Sequence, residues 1–206
     1  MTNTEISPRQ RRREATTNEI LETAWALCRE DGLASLSLRQ LAKRVGMQAP
    51  SLYSYFDSKN AIYDAMFTQG QHALAARMAE VSAIRPVTRD VLRAGIREWF
   101  AFCVEDPTRY QLLFQRTIPG FEPSSESYAL ALAQLDSAAA ALHAAGVTDP
   151  AALDIWTALL TGLTSQQISN DPGGDRWARV LDQSVDMFLD HVGVPPTPTT
   201  SEGADR

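Results

Sequence analysis

Residues 37–59 read SLRQLAKRVGMQAPSLYSYFDSK, and this stretch decides the fold. Ser37 and Gln40 form a capping box, in which the serine hydroxyl accepts a hydrogen bond from a first-turn amide, so a helix is predicted to begin there. This helix is short and ends at about Val45. Gly46 then permits a tight turn that a residue with a β-carbon would resist.

A second short helix is predicted from about Gln48 to about Phe56. Pro50 indicates where it begins, because proline is tolerated in the first turn of a helix but not deeper. Two short helices joined by a glycine-containing turn form a helix-turn-helix, whose second helix can lie in the major groove of DNA. We assign this motif to residues 37–56.

An earlier helix supplies the surface on which these short helices pack. Thr16 and Glu19 form a further capping box and Gly32 is a helix-ending residue, so this helix is predicted to begin at Thr16 and end near Gly32. Helices as short as the two in the motif are unstable alone, so their inner faces must be buried. The inward residues are Leu38, Leu41, Ala42, Val45, Leu52 and Phe56.

The side chains left on the outside of the motif are mostly cationic or hydrogen-bonding. Short side chains at the start of the second helix suit close approach to base edges, whereas the tyrosines and Lys59 suit contacts to phosphates. Each tyrosine could instead cover a helix end with a half-buried ring. The outward residues are Arg39, Lys43, Arg44, Gln48, Ala49, Ser51, Tyr53 and Tyr55.

The formal net charge of −6 is distributed unevenly along the chain. Residues 1–67 hold nine Lys/Arg and eight Asp/Glu, a net +1, whereas residues 68–206 hold ten and seventeen, a net −7. Only the N-terminal part therefore favours phosphates, through the basic run at residues 9–13 and the cations around the motif. A solvated charged face is the alternative interpretation of the same cations.

Residues 14–74 resemble the DNA-binding domain of the tetracycline-repressor family. The resemblance is carried by ILETAWAL at 20–27, by SLRQLAKRVG at 37–46, and by PSLYSYF at 50–56 with the following Lys59. It implies a homodimer that binds a palindromic operator in double-stranded DNA. The positions that it implies as DNA contacts are Ser37, Arg39, Gln48, Ala49, Pro50, Ser51, Tyr53, Tyr55 and Lys59.

Two residues depart from the family pattern. Gln48 stands where the family usually has Ser or Thr, which removes a good helix cap and leaves a long amide that can read adenine. Tyr55 stands where His is frequent. Both departures concern the operator sequence rather than the mode of binding.

The rest of the chain repeats apolar residues at spacings of three and four between Gly, Pro and Asp signals, which predicts an all-helical fold of about nine helices. The later helices are expected at about 58–81, 88–105, 107–116, 124–145, 150–169 and 175–192. The expected regions are a flexible basic arm at 1–13, the helix-turn-helix DNA-binding domain at 14–74, a larger ligand-binding and dimerisation domain at 75–193 and a disordered tail at 194–206.

Aromatic side chains concentrate between residues 99 and 128. A helical bundle of this composition can enclose an apolar cavity or form an ordinary core, and the residues alone favour the core. The family resemblance implies an inducer pocket for a small-molecule effector in this region. Its predicted lining is Trp99, Phe102, Cys103, Tyr110, Phe114, Tyr128, Leu132 and Trp156.

The last two helices carry more apolar surface than one partner face needs. The resemblance implies that they form a four-helix bundle across a two-fold axis. If they pack inside one chain instead, the dimer must use another surface. The predicted dimer interface is Leu159, Leu163, Leu181, Val185 and Phe188.

No catalytic or metal-binding pattern accompanies the motif. The three histidines lack partners at metal-ligand spacing, and phosphate loops, nucleophile elbows and Cys-x-x-Cys pairs are absent from the sequence. We therefore expect no enzyme activity, no metal and no cofactor. No leader and no membrane-spanning stretch is recognised, and both cysteines lie in apolar helical patterns, so a cytoplasmic protein without membrane contact is expected.

These features give one hypothesis and one alternative. The hypothesis is a ligand-responsive transcriptional regulator, most simply a repressor, that binds its operator as a dimer and is released by a small, largely apolar molecule. The alternative is a helical protein-interaction scaffold that has lost DNA recognition. Salt-dependent binding to duplex DNA separates the two.

Overall fold

The computed structural model describes residues 7–197, and within that range the protein is all-helical, as predicted. Nine α-helices lie in the described residues, and none is long and apolar enough to cross a bilayer. Their bounds are α1 Pro8–Asp31, α2 Leu38–Arg44, α3 Ala49–Leu52, α4 Lys59–Ala83, α5 Arg89–Glu105, α6 Pro107–Phe114, α7 Ser125–Ala144, α8 Ala151–Asn170 and α9 Leu181–His191.

Helix α1 begins earlier than the capping box at Thr16 predicted. Ser7 accepts a hydrogen bond from the Gln10 amide at 3.2 Å, and Pro8 occupies the first turn, where proline is favourable. Residues 8–13 are therefore helical, which corrects the predicted flexible arm over that range. Residues 1–6 of the predicted arm and residues 198–206 of the predicted tail lie outside the described range.

The start of α9 was also predicted wrongly, at Asp175 instead of Leu181. The Gln167 side chain on α8 accepts a hydrogen bond from the Trp177 amide at 3.0 Å, and the Asp171 carboxylate accepts one from the Arg176 amide at 2.8 Å. These side-chain bonds compete with helical ones and hold the connection in turns. By contrast, α4 and α5 begin within one residue of the predicted starts, after Ser58 and Thr88, which each accept a hydrogen bond from an amide three residues on.

The chain divides into two compact units, and neither is continuous in sequence. One comprises the described residues up to His72 together with Thr108–Ala131, and the other comprises Ala73–Pro107 with the described residues from Leu132. This differs from the contiguous division at residue 74 that the sequence suggested. Helix α6 and the start of α7 thus belong to the unit that contains the helix-turn-helix.

In the second unit, α5, α8 and α9 pack together around one apolar core. Trp156 lies at its centre, with its ring centroid 4.9 Å from that of Phe188. Arg93 and Arg97 on α5 bind Asp186 and Asp182 on α9 along the edge of this core.

This packing corrects the predicted dimer interface. Four of the five predicted interface residues are buried in the core of the chain itself, namely Leu163, Leu181, Val185 and Phe188. Leu159 is only partly buried against the same core. Apolar periodicity identified the face correctly but could not tell which partner covers it.

Candidate DNA-binding site

The helix-turn-helix rests on α1 as the sequence predicted. Helix α2 packs against both α1 and α3. Leu41 and Leu52 are fully buried beneath the motif, together with Ile20 of α1. Phe56 closes the same core from beyond α3. Burial of these side chains holds two helices that would not form alone.

The turn between α2 and α3 has the geometry that a glycine allows. Gly46 has a φ of +70°, in the left-handed region that favours glycine. The Met47 amide donates to the Ala42 carbonyl at 2.8 Å, which closes the end of α2. The position of α3 relative to α2 is therefore fixed by local backbone geometry.

Helix α3 is only four residues long and has little internal support. Gln48 occupies its N-cap position, and its side chain makes no capping hydrogen bond. The chain leaves the helix in a turn, where the Ser54 hydroxyl donates to the Ser51 carbonyl at 2.7 Å. The family departure at Gln48 thus has a local consequence, since the amide side chain extends to solvent instead of capping the helix.

The predicted DNA contacts separate into exposed and partly buried side chains. Tyr53 is 55% exposed, a large fraction for an aromatic ring held by a rigid element. Ser37 is partly buried because it caps α2, accepting from the Gln40 amide at 3.5 Å. Ala49, Tyr55 and Lys59 are also partly buried. The exposed set, which we call the reading face, is Arg39, Lys43, Gln48, Pro50, Ser51 and Tyr53.

Two of the cations near the motif are engaged within the protein. Lys59 donates to the Ala34 carbonyl at 3.2 Å, and Arg44 forms an ion pair with Glu30 at 2.7 Å. The hydrogen bond that Arg44 donates to Glu30 raises the pKa of Arg44 above its usual value. The other two cations of α2, Arg39 and Lys43, are also exposed.

A set of contacts between α4 and the start of α7 was not predicted, and we call it the α4–α7 clamp. The Asp64 carboxylate accepts from the Ser124 amide at 2.7 Å and from the Ser127 hydroxyl at 2.9 Å. Thr68 extends this network, with its hydroxyl 2.8 Å from that of Ser127. The Ser124 hydroxyl caps α7 by accepting from the Ser127 amide at 3.2 Å, and Asp64 holds this residue from another helix and places a negative charge at the helix N-terminus, where it is favourable.

The inner face of α1 contributes side chains to the core. Trp25 is buried, as expected, and its indole donates to the Gln69 side chain at 2.7 Å. Burial raises the pKa of the Cys28 thiol to about 11, so the thiol stays protonated at neutral pH. It is a small apolar packer and not a nucleophile.

The residues predicted to line the effector pocket are distributed over both units. In the first unit, the Tyr110 and Phe114 rings of α6 stack with centroids 5.5 Å apart. In the second, Trp156, Phe102 and Cys103 are buried and Trp99 is partly buried. Tyr128 and Leu132 on α7 are largely exposed. The pocket itself stays a prediction.

The described part of the chain contains no candidate metal site. No three His, Cys, Asp or Glu side chains among residues 7–197 come together in a way that could hold a metal ion.

Comparison with known proteins identifies the helix-turn-helix region. The family model described as bacterial regulatory proteins, tetR family, matches residues 20–66. The class A tetracycline repressor from transposon 1721 of Escherichia coli is 27% identical over 178 residues, which is 84% of this chain and 76% of that protein. The HTH-type transcriptional activator FasR of Mycolicibacterium smegmatis is 27% identical over 108 residues, 52% of this chain and 48% of FasR.

The fold is shared with solved structures. The crystal structure of the transcriptional regulator FadR from Bacillus subtilis, in complex with stearoyl-CoA, matches with a TM-score of 0.69 at 14% identity. The match covers 84% of this chain and 97% of that one. Residues 20–66 therefore match the tetR family of bacterial regulatory proteins, and the chain shares its fold with a solved transcriptional regulator.

Proposed function

We propose that the protein is a ligand-responsive repressor that binds a palindromic operator as a homodimer and releases it when a small, largely apolar molecule binds. The reading face is the observation that carries this proposal. It combines two exposed cations, a free amide, a serine hydroxyl and an exposed tyrosine on one short motif, which is the chemistry that base edges and phosphates require.

A surface on α8 and α9 supports the homodimer. Ile155 is 47% exposed and Met187 is 66% exposed, although both are large apolar side chains. Ala158 and Gly162 follow Ile155 along one face of α8 at helical spacing, and a Cβ added at Gly162 would meet no atom within 4 Å. Small residues beside exposed apolar ones allow a second helix to approach closely. We propose this outer face as the interface.

Unsatisfied polar atoms support a polar group on the effector. Gln71 in the first unit is 2% exposed, and its Oε1 accepts no hydrogen bond from the described residues. The buried Thr164 hydroxyl in the second unit also makes no hydrogen bond with a described residue. A buried polar atom without a partner destabilises a protein by about 1–3 kcal/mol, which a ligand can recover. Within its own unit, each atom would suit an apolar molecule that carries a hydroxyl or an amide group.

Repression rather than activation is the simpler form of this proposal. A dimer bound to an operator blocks polymerase without further contacts, and the E. coli relative is named a repressor. Since the relative from M. smegmatis is named an activator, the sign of regulation is tested by transcription from the bound promoter in vitro.

Footprinting on DNA from upstream of the protein's own gene tests the dimer on its operator. We expect two protected half-sites on one face of the duplex, about one helical turn apart. The test variant is Met187→Arg, which places a charge in the proposed interface and leaves the reading face unchanged. It should elute as a monomer and lose the paired footprint. A paired footprint kept by a monomeric variant would contradict the proposal.

Release is tested with compounds that stabilise the free protein. A thermal-melting screen over fatty acids and hydroxylated aromatics identifies binders, and each binder is then added to the protein–operator complex. We expect binders to raise the melting temperature and weaken operator binding together, since both follow from selection of one state. A compound that saturates the protein and leaves operator affinity unchanged is not the effector. A screen in which every binder behaves so would contradict ligand-controlled release.

A further inference from the structure

Arg13 differs from the other arginines at the start of α1. The side chains of Arg9, Arg11 and Arg12 are exposed and make no hydrogen bond or ion pair with another described residue. Arg13 lies on the same basic stretch but reaches across to the helix-turn-helix. The helical start of α1, which the sequence did not predict, is what makes this reach possible.

Two contacts join Arg13 to the end of α3. Its Nη2 donates to the Ser54 carbonyl oxygen at 2.7 Å, and its guanidinium carbon lies 5.0 Å from the centroid of the Tyr55 ring. Both partners belong to the turn that follows α3. A hydrogen bond from a charged guanidinium to a carbonyl oxygen is stronger than one between neutral groups. A cation within 6 Å of an aromatic ring is also attracted to its face.

This support matters because α3 has few other restraints. Four residues make at most one helical turn, and Gln48 contributes no capping bond at the start of the helix. Leu52 anchors the helix to the core beneath it. Arg13 adds a link from α1 to the turn between Leu52 and the buried Phe56.

We propose that Arg13 is a positioning residue for operator recognition. It fixes the end of α3 and the ring of Tyr55, and thereby the direction in which Ser51 and Tyr53 project toward DNA. The guanidinium is used inside the protein and is not a phosphate ligand. This inference rests on the proposed DNA-binding function and assigns a new role within it.

The experiment compares two variants that remove the same formal charge. Arg13→Gln removes the link to α3, and Arg12→Gln removes an exposed neighbour without tertiary contacts. Binding to the upstream duplex and to a scrambled duplex of equal length is measured at several salt concentrations. Far-UV circular dichroism and thermal melting confirm that each variant is folded.

We expect Arg13→Gln to lower the ratio of upstream to scrambled affinity roughly tenfold, the loss expected when one base-reading contact is misplaced. Arg12→Gln should leave that ratio unchanged. Arg13→Lys should recover part of the ratio, because an ammonium can still donate to the Ser54 carbonyl and face the Tyr55 ring. Arg13→Lys also serves as the test variant if Arg13→Gln does not fold.

Three outcomes would overturn the inference. An unchanged ratio in Arg13→Gln, with only a shallower salt dependence, would make Arg13 a phosphate ligand. If Arg13→Lys lowers the affinity ratio as much as Arg13→Gln does, the contacts to the Ser54 carbonyl and the Tyr55 ring do not position α3. If the wild type itself does not distinguish the two duplexes, the proposed function fails, and this inference fails with it.

Discussion

The reading face and the α5/α8/α9 core use their side chains for different purposes. On the reading face, Gln48, Ser51 and Tyr53 are exposed and contribute little to the fold. In the core, Trp156 and Phe188 are buried against each other and have no route to a partner outside the chain. Stability is therefore concentrated in one set of residues and recognition in another.

This contrast shows why the two regions respond differently to mutation. A core residue acts through packing, so its loss leaves a cavity and weakens the whole unit. A residue of the reading face acts only on a partner, and most exposed substitutions change stability by less than about 0.5 kcal/mol. The predictions below measure stability or DNA binding, in order of decreasing effect.

The largest effect is expected for Trp156→Ala. Removing this buried ring and its contact with Phe188 should lower the free energy of unfolding by about 3–5 kcal/mol, measured by denaturant titration. Gln183→Ala, at an exposed position of α9, is the control and should change it little. If Trp156→Ala unfolds at the wild-type denaturant concentration, the core assignment is wrong.

Tyr53→Ala should weaken DNA binding and leave stability unchanged, which is the opposite of the effect on stability expected for Trp156→Ala. We expect an unchanged melting temperature and a loss of operator affinity of ~1–3 kcal/mol, measured by fluorescence anisotropy. Tyr128→Ala is the matched control, because Tyr128 on α7 is a similarly exposed tyrosine away from the reading face. Equal losses of DNA affinity in both variants would remove the special role of Tyr53.

Asp64→Ala tests the α4–α7 clamp, which lies between these extremes. The variant removes the acceptor for the Ser124 amide and for two serine hydroxyls, so the capping residue Ser124 is no longer held against α4. We expect a loss of about 1 kcal/mol in unfolding free energy, as for other helix caps. Asp64→Asn keeps one acceptor oxygen and should lose less. A wild-type stability in Asp64→Ala would show that the clamp does not contribute.

The smallest effect is expected at the edge of the core, where Arg97 binds Asp182. The hydrogen bond from Arg97 lowers the pKa of Asp182 below its usual value. A carboxyl group with a lowered pKa in the folded state stabilises the protein above its unfolded pKa, and this stabilisation is lost as the pH falls through the folded pKa.

Arg97→Ala should therefore cost less than about 1 kcal/mol at neutral pH, because both side chains are partly exposed. The difference from the wild type should shrink as the pH falls through the acid range. Denaturant titrations of both proteins from neutral to acid pH measure it. A difference that grows on acidification would contradict the assigned pKa direction.

The sequence predicted α2, the turn and the start of α3 because their signals are local, but it placed the end of α3 near Phe56, and the helix ends at Leu52. Gly46, Pro50 and the buried Leu41 and Leu52 lie within one short stretch, and each restricts the backbone or the buried face directly. The α1 start was missed because Ser7 and Thr16 are both acceptable caps, and local chemistry does not decide between them.

Other features were missed because they depend on distant residues. The Asp64–Ser124 contact joins positions 60 residues apart, and the Gln167 side chain holds the connection before α9 from a different helix. For the dimer interface, Leu163 and Val185 had the right apolar pattern, but the pattern does not identify the partner. The fold of each region followed from periodicity, whereas the surface left for a second chain did not.

The most direct test of the account is the ratio of affinities for upstream and scrambled duplexes across a range of salt concentrations. The account predicts that the wild type prefers the upstream duplex by about three orders of magnitude or more, and that Ser51→Ala combined with Tyr53→Ala removes most of this preference. Both proteins should keep salt-dependent binding to the scrambled duplex. Equal affinity of the wild type for both duplexes at every salt concentration would contradict the account and favour a protein-interaction scaffold.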